Sequence, residues 1–285
     1  MRKCGKSPLS LGLLVVAAGL ALAACQGGRG PGLGDPPPPL AEGPAFELAE
    51  RLYLVGQEPP AVAARGAADY LAPNGGRHHF EFESFVQKPD VFSFLLLGPA
   101  GSPAFRVLMV GDSAYALDYG QKTYLTGTRD ELNRARLPLP MSPEELLALL
   151  SGALAEPPAK ASAQRLGTTQ APKSELLVWS ASEGDPMRLT LDGAPGAEKA
   201  PVLRRLSALT RSGELLTVAY DDIRGVDRRD QASSLAFPHK ITAVVGGGRA
   251  KRSLSIRYAE VVLGAVLPRE SFRLDPPPGF AWASL

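Results

Sequence analysis

A chain of 285 residues with 31 Lys+Arg against 29 Asp+Glu has no charge excess of the kind that holds nucleic acid. With 45% hydrophobic residues it is long enough to bury a sizeable core, and its two cysteines exclude a disulfide-stapled scaffold. The nearest approach to a basic cluster, Arg249, Lys251 and Arg252, follows three glycines and reads as a solvated turn.

Residues 1–24 have the layout of a secretory signal, with Arg2, Lys3 and Lys6 ahead of an apolar stretch from Leu9 to Leu22. That stretch is short of the about 20 apolar residues that span a bilayer. It closes on Leu22-Ala23-Ala24-Cys25, which resembles the lipobox of bacterial lipoproteins. The resemblance implies that Cys25 is acylated and becomes the first mature residue. Loss of the signal leaves 28 of the 31 bases against all 29 acids, so the mature chain is close to neutral.

Residues 25–43 hold the lipidation site and a Gly/Pro-rich linker, with Pro36 to Pro39 in one run. At about 3 Å per residue this tether reaches on the order of 50 Å. A helix is predicted from Ala45 to Val55, with Phe46, Ala49, Leu52 and Tyr53 as its apolar stripe. Strands follow at Val62–Leu71 and Arg77–Val86, flanking an Asn74-Gly75 hairpin turn. Val91–Leu97, Phe105–Val110 and Ser113–Tyr119 continue the meander. Thr128 to Glu131 and Ser142 to Glu145 both fit a capping box, so helices start there, the second stopping at Gly152. Ala153 to Ala171 reads as a loose stretch. Strands resume at Glu175–Trp179, Met187–Leu191, Val202–Leu209, Glu214–Tyr220, Lys240–Val245, Ser253–Tyr258 and Ser271–Leu274. The fold class expected is mainly β with helices: a curved antiparallel half-barrel covered on its concave face by two or three helices.

Catalytic candidates are scarce. His78 and His79 are adjacent on a strand and point to opposite faces, so they cannot share a metal. His239 reads as a solvent-facing or capping residue. Gly111-Asp112-Ser113 suggests the nucleophile block of one hydrolase family, but no Asp-x-x-His pair follows it, and it reads as a hairpin turn. Gly246 to Arg249 lacks the Lys-Ser/Thr ending of a phosphate loop. Asp221-Asp222 and Asp227 to Asp230 lack the alternating spacing of a calcium loop and read as charged loops. The expectation is a non-enzyme without cofactor or metal.

The chain instead carries bulky apolar residues on alternate strand positions. With polar neighbours taken as outward, the inward set is Phe80, Phe82, Phe92, Phe94, Leu96, Phe105, Val107, Met109, Tyr115 and Leu117. The second half adds Leu216, Val218, Tyr220, Leu254, Ile256 and Tyr258, and the middle helix adds Leu146, Leu149 and Leu150. These residues either pack a core or line an apolar cavity.

From Phe92 to Gly152 the pattern resembles LolB/LolA-type envelope lipoproteins. It runs from an apolar strand into Gly98-Pro99-Ala100-Gly101, then Tyr124-Leu125-Thr126-Gly127, Leu137-Pro138-Leu139-Pro140 and a helix ending at glycine. The resemblance implies that residues 44–285 are a lipid-binding half-barrel whose cavity takes acyl chains. It implies an outer-membrane lipoprotein, facing the periplasm, that handles lipoprotein or lipid cargo with a periplasmic carrier protein. Gln26 after the cysteine, in place of a retention aspartate, agrees with the outer membrane. Pro99 and Ala100 fall on the membrane-facing loop, where LolB-type proteins carry a bulkier apolar residue than Ala100. The alternative left open is a non-catalytic structural or accessory lipoprotein that braces an envelope assembly. A packed interior favours that alternative, and an open apolar cavity favours lipid binding.

Overall fold

A computed structural model describes residues 42–72, 74–129, 131, 148, 150–166, 173–180, 186–193, 200–209, 214–246 and 251–284. The expected signal, Cys25 and the linker up to residue 41 lie outside the described residues. Helix α1 (Glu42–Gln57) has acidic Glu42 and Pro44 in its first turn, followed by strong helix formers. Its buried stripe is Ala45, Leu48, Ala49, Leu52 and Val55, whereas Phe46 is exposed. The stripe therefore starts one residue earlier than the sequence suggested, which turns two alanines onto the sheet.

The strands are β1 (Ala61–Leu71), β2 (Arg77–Gln87), β3 (Val91–Leu97), β4 (Pro103–Val110), β5 (Ser113–Asp118), β6 (Thr123–Thr128) and β7 (Pro158–Leu166). They continue as β8 (Lys173–Ser180), β9 (Met187–Asp192), β10 (Val202–Leu209), β11 (Leu215–Asp227), β12 (Ser234–Val245), β13 (Arg252–Leu263) and β14 (Ala281–Ser284). Among the described residues they form one open sheet in the order β14-β6-β5-β4-β3-β2-β1-β13-β12-β11-β10-β9-β8-β7. Two antiparallel meanders, β1 to β6 and β7 to β13, thus lie side by side and are joined by β1 and β13. Only β14, beside β6, pairs in parallel.

The sheet has to curl. α1 is about 24 Å long at 1.5 Å per residue. It packs on β7 and β8, yet its last carbonyls, Gly56 and Gln57, accept bonds of 3.0 and 2.9 Å from Lys88 in the β2–β3 turn. β8 and β2 are seven places apart, roughly 34 Å in a flat sheet at about 4.8 Å per strand. One apolar core takes in α1 and the inner faces of both meanders.

Of the two or three helices expected, α1 is the one described whole. The helix expected at Thr128 begins there, with Glu131 N–H donating to Thr128 Oγ1 at 3.2 Å and Thr128 N–H to Glu131 Oε2 at 2.7 Å. The helix expected at Ser142 is described only at its end, where Gly152 has φ +72° and Ala153 N–H donates to Ala148 C=O at 2.8 Å. The rest of both helices, with Leu146 and Leu149, lies outside the described residues. β6, β7 and β14 were not foreseen, and the loose stretch from Ala153 contains β7. Ser271–Leu274 is not a strand but part of a segment crossing the sheet's convex face. There Leu274 packs with Leu108, Leu117 and Tyr124, and Phe272 and Phe280 join them. Residues 221–227 are not a charged loop, because β11 runs through them.

Candidate functional site: an apolar trough over the central strand

β1 is alanine-rich, and its register places its smallest residues between large ones. Gly66 pairs with Phe82 on β2 and Tyr258 on β13, and Ala68 pairs with Phe80 and Ile256. The rows across the sheet therefore read large, small, large. Phe82 and Tyr258 meet edge to face over Gly66, with ring centres 6.1 Å apart at 77°. Phe94 extends the wall, stacked on Phe82 at 5.8 Å and on Phe92 at 6.4 Å. Leu254 and Leu150 complete a cleft of about 50 Å³, with Ser84 at its edge.

Among the described residues no charged side chain lines this cleft. Tyr258 and Tyr220 are buried nearby, and desolvation pushes both hydroxyls well above the ordinary tyrosine range. They stay neutral. The lining described offers apolar and aromatic contact.

The structure brings together Phe80, Phe82, Phe92, Phe94, Leu150, Leu254 and Ile256 at the cleft. Leu96, Phe105, Val107, Met109, Val218 and Tyr220 share the same core away from it. Tyr115 and Leu117 do not belong to this face. β5 pairs Ala116 with Val107 and Ala114 with Met109, so its alanines point inward. Tyr115 and Leu117 lie on the convex side with Tyr124 and Leu274. Polar character does not mark the outward face on this strand, because Asp118 is itself buried on the inner face opposite Phe105.

Ala68 and Ser84 were missed because a small and a polar residue do not mark a cavity in a hydrophobicity pattern. The signal that could have found them is the run of alanines in β1 beside an aromatic-rich β2. Pro99 and Ala100 sit in a 3-10 turn between β3 and β4, with Ala100 exposed at φ 58°. His79 is exposed and contacts Asp69 at 2.8 Å, while His78 lies against Tyr70, with ring centres 6.3 Å apart. His239 is buried rather than solvent-facing, 3.3 Å from the Phe237 carbonyl.

An open, curled sheet around a helix, with a trough on its inner face, defines a LolA-type fold. The chain is similar to a LolA superfamily protein, NE2245 from Nitrosomonas europaea, with a TM-score of 0.52, 12% identity, and coverage of 81% of this chain and 97% of that one. It is also similar to a DUF1329 family protein from Desulfovibrio piger, with a TM-score of 0.56, 10% identity, and coverage of 80% and 95%. A domain from Vibrio parahaemolyticus described as an outer membrane lipoprotein-sorting protein gives 0.51 and 11%, over 80% and 95%. No family model and no curated protein matches the chain. At these identities the likeness is one of fold.

Proposed function

We propose that this chain is a non-catalytic, lipid-anchored envelope protein that binds acyl chains on its concave face and acts in lipoprotein or lipid trafficking. The observation that carries the reading is the uncharged trough over Ala68, walled by Phe82, Phe94 and Tyr258. Transfer from water supplies about 0.8 kcal/mol per buried methylene, so an acyl chain needs no charged anchor there. The cleft of about 50 Å³ is a third of the roughly 150 Å³ that holds a benzene ring. It seats the tip of a chain, and a longer chain has to displace Leu150, which lies over it. Acylation at Cys25, an outer-membrane position facing the periplasm and exchange with a periplasmic carrier complete the reading.

The test is mass spectrometry of lipid non-covalently bound to the purified full chain. Acyl lipid is expected with the parent and lost with Ala68→Leu, which fills the trough. Equal lipid in both, or none in either, overturns the reading. Burial of the other inner-face residues in one core favours the bracing alternative, and absence of lipid would select it.

A further inference from the structure

The convex face carries a second recess that the trough does not explain. After β13 the chain crosses this face as a strap fixed at three points. Gln87 on β2 holds Leu267 by two bonds, its Nε2 donating to the Leu267 carbonyl at 3.0 Å and its Oε1 accepting from the Leu267 N–H at 2.8 Å. Arg269 donates to Asp90 at 2.9 Å, and the Phe272 ring packs on Phe85 with centres 5.4 Å apart. Between strap and sheet lies a groove of about 530 Å³, within the range of about 300–1,000 Å³ usual for small-molecule sites.

Its charges are unevenly matched. Arg65 is answered by Glu83 at 4.0 Å, and its register partner on β13 is Glu260. Arg106 on β4 and Arg273 on the strap, which also line the groove, form no ion pair among the described residues. The Arg106 Nε is buried with no hydrogen-bond partner among them. A guanidinium is always charged, and its N–H groups only donate. A buried donor left unmatched is costly, and the cost is recovered when an acceptor arrives. Beside Arg106 the wall is apolar, formed by its register partner Leu95 together with Leu108 and Phe272.

We propose that this groove binds a small amphipathic anion, with a phosphate or carboxylate on Arg106 and Arg273 and an apolar body against Leu95, Leu108 and Phe272. The anion is the headgroup end of a lipid or a free organic acid or phosphate. The site lies on the opposite face of the sheet from the acyl trough and does not depend on it.

Calorimetric titration of the full chain in a neutral detergent tests this, with butyl phosphate as probe and butanol as the uncharged control. Butyl phosphate should bind and butanol should not, with binding weakened by salt. Arg106→Met should weaken binding by about tenfold, since it keeps the apolar stem and removes the charge-assisted bonds. Arg273→Ala, on the exposed strap where folding is not at stake, should weaken it too. Without probe, Arg106→Met should melt no lower than the parent; a lower melting point would mean that the fold already supplies the acceptor, and would overturn the proposal. Displacement of butyl phosphate by phosphatidylglycerol vesicles and not by phosphatidylcholine vesicles identifies a lipid headgroup as the source. Retention of butyl phosphate against both identifies a free anion. Butyl phosphate binding no tighter than butanol, or as tight in both variants as in the parent, overturns the site, while loss of acyl lipid with Ala68→Leu would leave the trough reading intact.

Discussion

Arg228 and Glu58, 170 residues apart in the chain, meet in a 3.1 Å ion pair that ties the end of α1 to the end of β11. The Arg228 side chain is 2% exposed. It also donates to the Glu58 carbonyl at 3.0 Å and to both carboxylate oxygens of Asp230, at 2.6 and 3.1 Å. Asp230 in turn lies over Gly264, where a Cβ would come within 2.0 Å of its Oδ1. One guanidinium thus fastens the end of the helix to the β11–β12 turn, and Asp230 of that turn lies against the exit of β13.

Arg228→Ala should therefore cost about 3 kcal/mol in urea unfolding, because it strands Asp230 and leaves a hole. Glu58→Gln should cost under about 1 kcal/mol, since that carboxylate is half exposed. The acid limb carries a second signature. Arg228's hydrogen bond holds Asp230 below the usual aspartate range, against a smaller opposing effect of desolvation. A lowered folded value means stability that is complete above the unfolded pKa of about 3.9 and is lost as pH falls through the folded one. The Arg228→Ala protein should show a flatter loss in that window; an unchanged acid limb would contradict the assignment.

Phe94 is half-buried and stacked between Phe82 and Phe92, whereas His79 stands on the outer face of β2. Phe94→Ala should lose about 2–3 kcal/mol, below the full cost for a wholly buried ring. His79→Ala should lose less than about 1 kcal/mol, because its contact with Asp69 is exposed. Equal thermal destabilisation by the two would refute the face assignment.

Tyr220 is fully buried, and its hydroxyl has no partner among the described residues. Tyr220→Phe keeps the ring and removes an unmatched polar group. The variant should be as stable as the parent or more stable by about 1 kcal/mol. A clear loss of stability in a melting experiment would show that the hydroxyl is bonded.

Cys25→Ala should abolish partition into the detergent phase, since Leu22 to Cys25 is the lipidation motif on which the anchor proposal rests. Unchanged fractionation with membranes would refute that motif as the anchor.

The exposed turn at Ala100 presents little apolar area, and at about 25 cal/mol per Å² leucine would contribute several times as much to contact with a bilayer. If delivery to membranes passes through this loop, Ala100→Leu should raise lipoprotein transfer to liposomes without changing acyl-probe affinity. A parent protein that already delivers as well as the variant would show that the loop does not carry the insertion step.

Much of the strand order was legible because period-two alternation survives wherever one face of a strand is buried. β3 and β10 were expected with the bounds they have, and Phe80, Phe82, Phe92 and Phe94 were assigned to the face they occupy. The capping box at Thr128 and the stop at Gly152 were equally local, since each is decided by bonds a few residues apart. The sequence by itself thus determined most of the extended segments, where two helices begin or end, and the apolar character of one sheet face.

Other features depended on partners distant in the chain. Tyr115 and Leu117 face the convex side because of the register of β5 on β4, which alternation within β5 alone cannot supply. β14 pairs with β6 although it has no buried residue, and the strap before it is ordered by Gln87, Asp90 and Phe85 from another part of the sheet. The trough forms where β1 places Ala68 between Phe80 of β2 and Ile256 of β13. Tertiary structure decided these points because register and cross-strand size matching are properties of paired strands, and a single strand's sequence carries one half of each pair.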